Sequence, residues 1–462
     1  MKRINIKVIW LVPIFFIFTI SCEKESIKDI GLVNFDSFES GEVDDWISEN
    51  LTDPYNIEVV YRYSRDQHDL DRNISPPDIN KVIPQMEIVI EGFLKVFEKV
   101  GGSTFIKTYS PKQFVLFGSN NYRDDGVVIA GTADAGRRIT LYGLNNLNSS
   151  NANSVLGNLG TIYHEFTHIL NQIRTIPPDY ELVSVGDYFG NWSNNDQNPE
   201  SLSRSLGFIS QYARSSVGED FAETLSTLIV DGQGYFDKYA SESGEEGWEK
   251  LKRKEAIVRD YLLSNFEIDL DELQYEFIRV LTENYNSTAY SAYTYFTKDY
   301  LGTVSLNLKE AWAVENTVSE VFSDHYNQGE AAFNNSGYTA SNILLAFESP
   351  EKAILQVNFS ELNGSNSYWA YYDLDIQDEG DGKIKFSISP EQGEGAVYNN
   401  AAVNWVLEGT VPVLSYLIER SFTIDWHPAD VGVTPDNFQS FIGLYTDNPA
   451  DYVFGPQNFK SY

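Results

Sequence analysis

Residues 163–170 read YHEFTHIL and close a longer run, SVLGNLGTIYHEFTHIL, that begins at Ser154. Val155, Leu159, Ile162, Phe166 and Ile169 recur at helical spacing, which predicts one helix with an apolar face. On that helix His164 and His168 lie one turn apart and project from the same side, so both imidazoles can reach one metal ion. Glu165, between them, points sideways, toward a water on the metal rather than the metal itself. The spacing meets a chemical need, because zinc lowers the pKa of its water and a neighbouring carboxylate can take the proton during attack on a carbonyl. Chance would give this pattern to roughly one in a few hundred chains of this length. It also uses two of only five histidines. The plain alternative is an amphipathic helix with His and Glu at its solvent edge.

Two histidines leave a catalytic metal one protein ligand short of the usual three. No histidine follows closely after His168, and His68, His325 and His427 lie in DQHDLD, SDHYNQ and DWHPAD, which read as surface or structural segments. Carboxylates are offered instead by GEDFAETLS, in a second helical stretch starting near Ser216. Glu219 and Glu223 share a face one turn apart, so one can bind the metal while the other hydrogen-bonds the far nitrogen of a ligand histidine. Asp220 lies about 100° around the helix and is set aside. Ser216-Val217-Gly218-Glu219 also matches a capping box, in which Glu219 would satisfy a backbone donor. Ligation by Glu219 is the favoured reading, with capping and Glu223 as the alternatives.

The chain of 462 residues is long enough for two or three domains, and its 42% hydrophobic content is that of a globular protein. A net charge of −34 excludes sequence-independent nucleic-acid binding, which needs clustered Lys and Arg. Lys2, Arg3 and Lys7 precede an apolar run from Val8 to Ile20, the pattern of a signal peptide over residues 1–21. Thr19-Ile20-Ser21-Cys22 resembles a lipobox, and Cys22 is the only cysteine, which predicts lipidation there and anchoring to the cell envelope, with the outer membrane and an exposed surface as the expected address. Residues 22–50 read as a polar tether, with order beginning near Asn56.

IEVVYRY, QFVLFG and RRITLYGL read as strands, and a helix from Gln85 to Val100 is expected to stop at Gly101-Gly102. Beyond about residue 330, NILLAF, AILQVNF, YWAYYDLDI and KIKFSIS are strands, with Asp381-Gly382 a hairpin turn. The fold class is therefore α+β: a domain over 51–315 carrying the motif, then a smaller strand-rich domain over 330–462. DLDIQDEGDGK fails as a calcium loop because Phe386 falls where the twelfth-position Glu belongs.

With HEFTH followed by EDFAE, the chain resembles the gluzincins, zincin metallopeptidases whose third zinc ligand is a Glu on a second helix. Within them it is similar to the clade of the anthrax lethal-factor catalytic domain and the bacterial Pro-Pro endopeptidases. That resemblance implies a zincin-like domain, one catalytic zinc ion on His164, His168 and Glu219, and Glu165 as general base. It also implies that Tyr212, seven residues before Glu219, donates a hydrogen bond to the developing oxyanion. Glu223 would support a ligand histidine. Together with the lipobox, IEVVYRY and GTADAGRRITLY, these motifs are similar to the substrate import-associated zinc metallohydrolase lipoproteins of Bacteroidota. The implied partners are a peptide or protein substrate, a membrane through the Cys22 anchor, and a TonB-dependent uptake complex. Zincins pair substrate with the edge strand before the motif helix, and Arg137 to Tyr142 is the candidate, with an internal strand as the alternative. The competing function is a non-catalytic surface lipoprotein that presents substrate to an uptake complex.

Overall fold

The computed structural model describes residues 40–68, 71–134 and 137–462. The expected signal peptide, Cys22 and most of the expected tether lie outside these residues.

The HEFTH helix runs from Ala152 to Ile173. Asn151 caps its start, its side-chain oxygen accepting the Ser154 N–H at 3.0 Å. Its apolar face is enclosed, and Phe166 and Tyr163 pack edge-on against Phe93 with ring centroids 4.9 and 5.6 Å apart. The Tyr163 hydroxyl donates to the Gly92 carbonyl at 3.0 Å, and a Cβ on Gly92 would lie 2.6 Å from Leu159 Cδ1, so any larger residue there would have to displace the buried Leu159 side chain. Gly92 and Phe93 belong to helical turns from Ile79 to Tyr109. The stop expected at Gly101-Gly102 is instead a kink: Gly102 takes φ 79° and the helix resumes to Tyr109.

Beside these helices lies a sheet built from β1 (Glu58–Val60), β2 (Gln113–Leu116), β5 (Gly131–Asp134) and β6 (Arg138–Leu141), with the small hairpin β3 (Asn121–Tyr122) and β4 (Val128–Ile129) between β2 and β5 in sequence. The order is β1-β2-β6-β5, with the first three parallel and β5 antiparallel. Phe114, Leu116, Ile139 and Leu141 face the main core, while Val115 and Phe117 pack on Ile74 at the other face. Arg137 to Tyr142 is therefore not the edge; β6 is flanked on both sides, and the edge is β5. Glycine and alanine in GTAD give little strand propensity, so pairing with β6 decides its state.

Order also begins earlier than expected. Helical turns start at Glu42, and Ile47 and Leu51, four apart, are buried in the core, so the expected tether is cut short. After the GEDFAE helix (Val217–Val230) come helices Gly232–Ser241, Gly244–Phe266 and Leu270–Tyr285.

The C-terminal region is a closed barrel of eight strands: β7 (Leu301–Ser305), β8 (Tyr338–Ser349), β9 (Lys352–Glu361), β10 (Ser367–Gly380), β11 (Lys383–Ile388), β12 (Ser421–Trp426), β13 (Phe441–Tyr445) and β14 (Tyr452–Phe459). It begins before the expected boundary, because β7 closes it by pairing with both β8 and β14. Asp381 and Gly382 join β10 to β11 with φ of 52° and 83°, as a type I′ turn requires. Along β10, Ala370, Tyr372 and Leu374 are buried while Trp369 and Tyr371 alternate outward. Helices Glu320–Asn335 and Asn404–Ile418 pack against each other and the barrel. Trp426 Nε1 donates to the Tyr290 carbonyl at 2.8 Å, tying the barrel to the helical part within one unit from Val43 to Tyr462.

Candidate metal centre

Three donor atoms from the two motif helices converge. His164 Nε2 lies 3.2 Å from His168 Nε2 and 3.0 Å from Glu219 Oε2, and His168 Nε2 lies 3.2 Å from the same oxygen. Donors about 2.0–2.1 Å from a tetrahedral zinc are roughly 3.3 Å apart, so this triangle matches one face of such a site. Burial pulls the His164 imidazole down, but hydrogen bonds to Glu219 and Glu223 outweigh it and push it up to about 10. Burial raises the Glu219 carboxyl, and the two histidines carry it well below the usual carboxylate range. Both directions mean that positive charge is favoured where the donors meet. Among the described residues, His164, His168 and Glu219 are the group able to hold a metal ion.

Glu223 Oε1 sits 2.9 Å from His164 Nδ1, and its other oxygen accepts from Ser210 Oγ at 2.7 Å. That contact favours the proton on Nδ1 and turns the Nε2 lone pair toward the triangle. Ser216 caps the GEDFAE helix by accepting the Glu219 N–H at 3.3 Å. Ligation and capping thus do not compete: the serine half of the box is used, and the Glu219 side chain turns to the histidines.

Glu165 is buried beside the triangle but outside it. Burial raises its carboxyl, and His164 and His168 pull it back. The Tyr212 ring stacks on His164 with centroids 5.9 Å apart and leans on Trp192 at 4.7 Å. Burial, then the negative charge of Glu219, raises its phenol above the ordinary value, so the hydroxyl keeps its proton. His68 packs on Phe117, His325 bonds the Val321 carbonyl and His427 stacks on Phe454, all away from the triangle.

Asp220, set aside from its angle on the helix, is fully buried and paired with Lys254 at 2.8 Å, both side chains at 0% exposure. The Tyr188 hydroxyl donates to Asp220 at 3.0 Å, and Lys254 donates to the Gly207 carbonyl at 2.7 Å over the Phe208 ring. Burial raises the acid and lowers the amine, and the contact between them opposes both shifts. This pair fixes the start of the GEDFAE helix from a different side than the histidines. Its signal in the sequence is Lys254 on the apolar stripe of Leu251, Val258 and Tyr261.

The triangle opens into a cleft of about 880 Å³ between β5 with the β3–β4 hairpin and the two motif helices. The ladder bond from Tyr142 N–H to Ala130 O, with the register of β5 on β6, leaves the backbone groups of Gly131 and Ala133 turned to this cleft.

No curated protein matches the chain. A solved structure described as a "putative zinc-binding metallo-peptidase" from Bacteroides caccae is similar, with 29% identity, covering 55% of this chain and 98% of that chain at a TM-score of 0.46. The model of one family matches residues 36–271, just over half the chain, and the protein with this donor triangle therefore belongs to the family described as "putative zinc-binding metallo-peptidase".

Proposed function

We propose that the chain is an exported, lipid-anchored zinc endopeptidase of the zincin type, holding one ion on His164, His168 and Glu219. The convergence of those three donor atoms at 3.0–3.2 Å carries the reading. Zinc bound there supplies Lewis acidity and a water that ionises near neutral pH. Glu165 takes the proton of the attacking water and returns it to the leaving amine. Its position beside the triangle, with its carboxyl raised by burial, supports that role. Tyr212 keeps its proton and donates to the oxygen on which negative charge develops. Glu223 is a positioning residue that orients His164. Gly131 and Ala133 add an extended substrate to β5 as one more strand. The basic start, the apolar run and Ser21-Cys22 support a Cys22 anchor at the outer membrane, where hydrolysis would serve a TonB-dependent uptake complex.

The test is a peptide library treated with the purified zinc-loaded chain. Glu165→Gln should cut cleavage by roughly 10²–10⁴-fold while zinc stays bound. Cleavage at the wild-type rate by that variant would refute the catalytic assignment.

A further inference from the structure

Four carboxylates line the cleft: Glu165, Glu219, Glu223 and Asp231. Three face positive or donor groups: Glu219 the two histidines, Glu223 His164 and Ser210, and Glu165 the charges of His164 and His168. Asp231 has no hydrogen bond or ion pair to its carboxylate among the described residues; the one charged neighbour that shifts it is Glu223, a like charge. It stands between two helices, closing the GEDFAE helix and preceding Gly232–Ser241, and its carboxylate makes no capping hydrogen bond to the second. The side chain is accessible from the cleft, yet the surrounding protein raises its carboxyl to about 6, with Glu223 adding to the shift. Arg123, the one Lys or Arg among the described lining residues, is 2.9 Å from Asp125 on its own hairpin. A carboxylate that lines the cleft beside a like charge, with no cation next to it, is suited to receive one from a ligand.

Building on the zinc-peptidase reading, we propose that Asp231 is a specificity-determining residue and that the cleft selects peptides carrying a Lys or Arg whose charged end reaches it. Twelve residues of helix separate Glu219 from Asp231, roughly 18 Å at 1.5 Å per residue. An extended peptide advances about 3.3 Å per residue and the basic side chain adds its own reach, so the Lys or Arg stands about three to five residues from the scissile bond. The strongly negative chain draws basic peptides toward this cleft as well.

The experiment uses paired peptides that differ only by Lys or norleucine, which keeps the stem and removes the charge, with that position moved stepwise along the peptide. Cleavage is read as kcat/KM on the zinc-loaded chain, and binding as fluorescence anisotropy on its Glu165→Gln variant. The expected result is a Lys preference of about tenfold at one position in both assays, lost in Asp231→Asn and kept in Asp231→Glu. Cleavage without a preference, or a preference that survives in Asp231→Asn, overturns the inference and leaves the peptidase reading standing. Asp231-dependent binding without any cleavage supports the subsite and overturns the peptidase reading instead. No Asp231-dependent difference in binding overturns the inference whatever the cleavage shows.

Discussion

The helix from Ala152 to Ile173 is clamped by aromatic rings, with Phe93, Phe97, Tyr163 and Phe166 packed at centroid distances of 4.9–5.6 Å. The helix from Val217 to Val230 is fixed at its start by a fully buried ion pair and a serine cap. Both deliver donors to one triangle. Apolar packing is spread over many contacts and yields gradually, whereas a buried ion pair is intact or broken. The second helix has apolar packing as well, with Phe221 against Tyr180 and Tyr261 at 4.9 Å, but its start rests in addition on that ion pair.

Lys254→Met strips Asp220 of its partner in a fully buried site and should cost about 3–5 kcal/mol in denaturant unfolding. The double variant Asp220→Asn/Lys254→Met should recover much of that loss, and no recovery would break the contrast between the helices. Phe166→Ala removes a ring from the other clamp and should also cost about 3–5 kcal/mol, but without rescue by any single partner change.

Smaller effects sharpen the same contrast. Glu223→Gln should weaken zinc binding by about 10–100-fold in competition with a chelator, because His164 loses its orienting acceptor, while stability without metal changes little. Ser216→Ala should cost about 1 kcal/mol in unfolding and leave zinc affinity near wild type, since the cap holds the Glu219 N–H and not its carboxylate.

The first helix was legible because its periodicity and its His-Glu-His spacing lie within one continuous stretch. The second was legible only in part. Glu219 and Glu223 could be seen as a pair of acids on one face, but the choice between ligand and cap needed the tertiary approach of His164. Lys254 stands on the apolar stripe of its helix, but its pairing with Asp220 across the fold is visible only in the structure. The edge strand escaped because Gly131 and Ala133 carry no strand signal of their own. β7 escaped as a barrel strand because its partners, β8 and β14, lie far along the chain. Asp231 escaped because it is the absence of a partner that makes it distinctive.

The central claim is that these two helices make one zinc site, and metal content tests it directly. Atomic emission on the purified full chain after zinc loading and desalting should give about one zinc per chain, falling to background in His164→Ala and in Glu219→Ala while both variants stay folded by circular dichroism. A wild-type chain without zinc, or a Glu219→Ala variant that keeps it as tightly, would contradict the account.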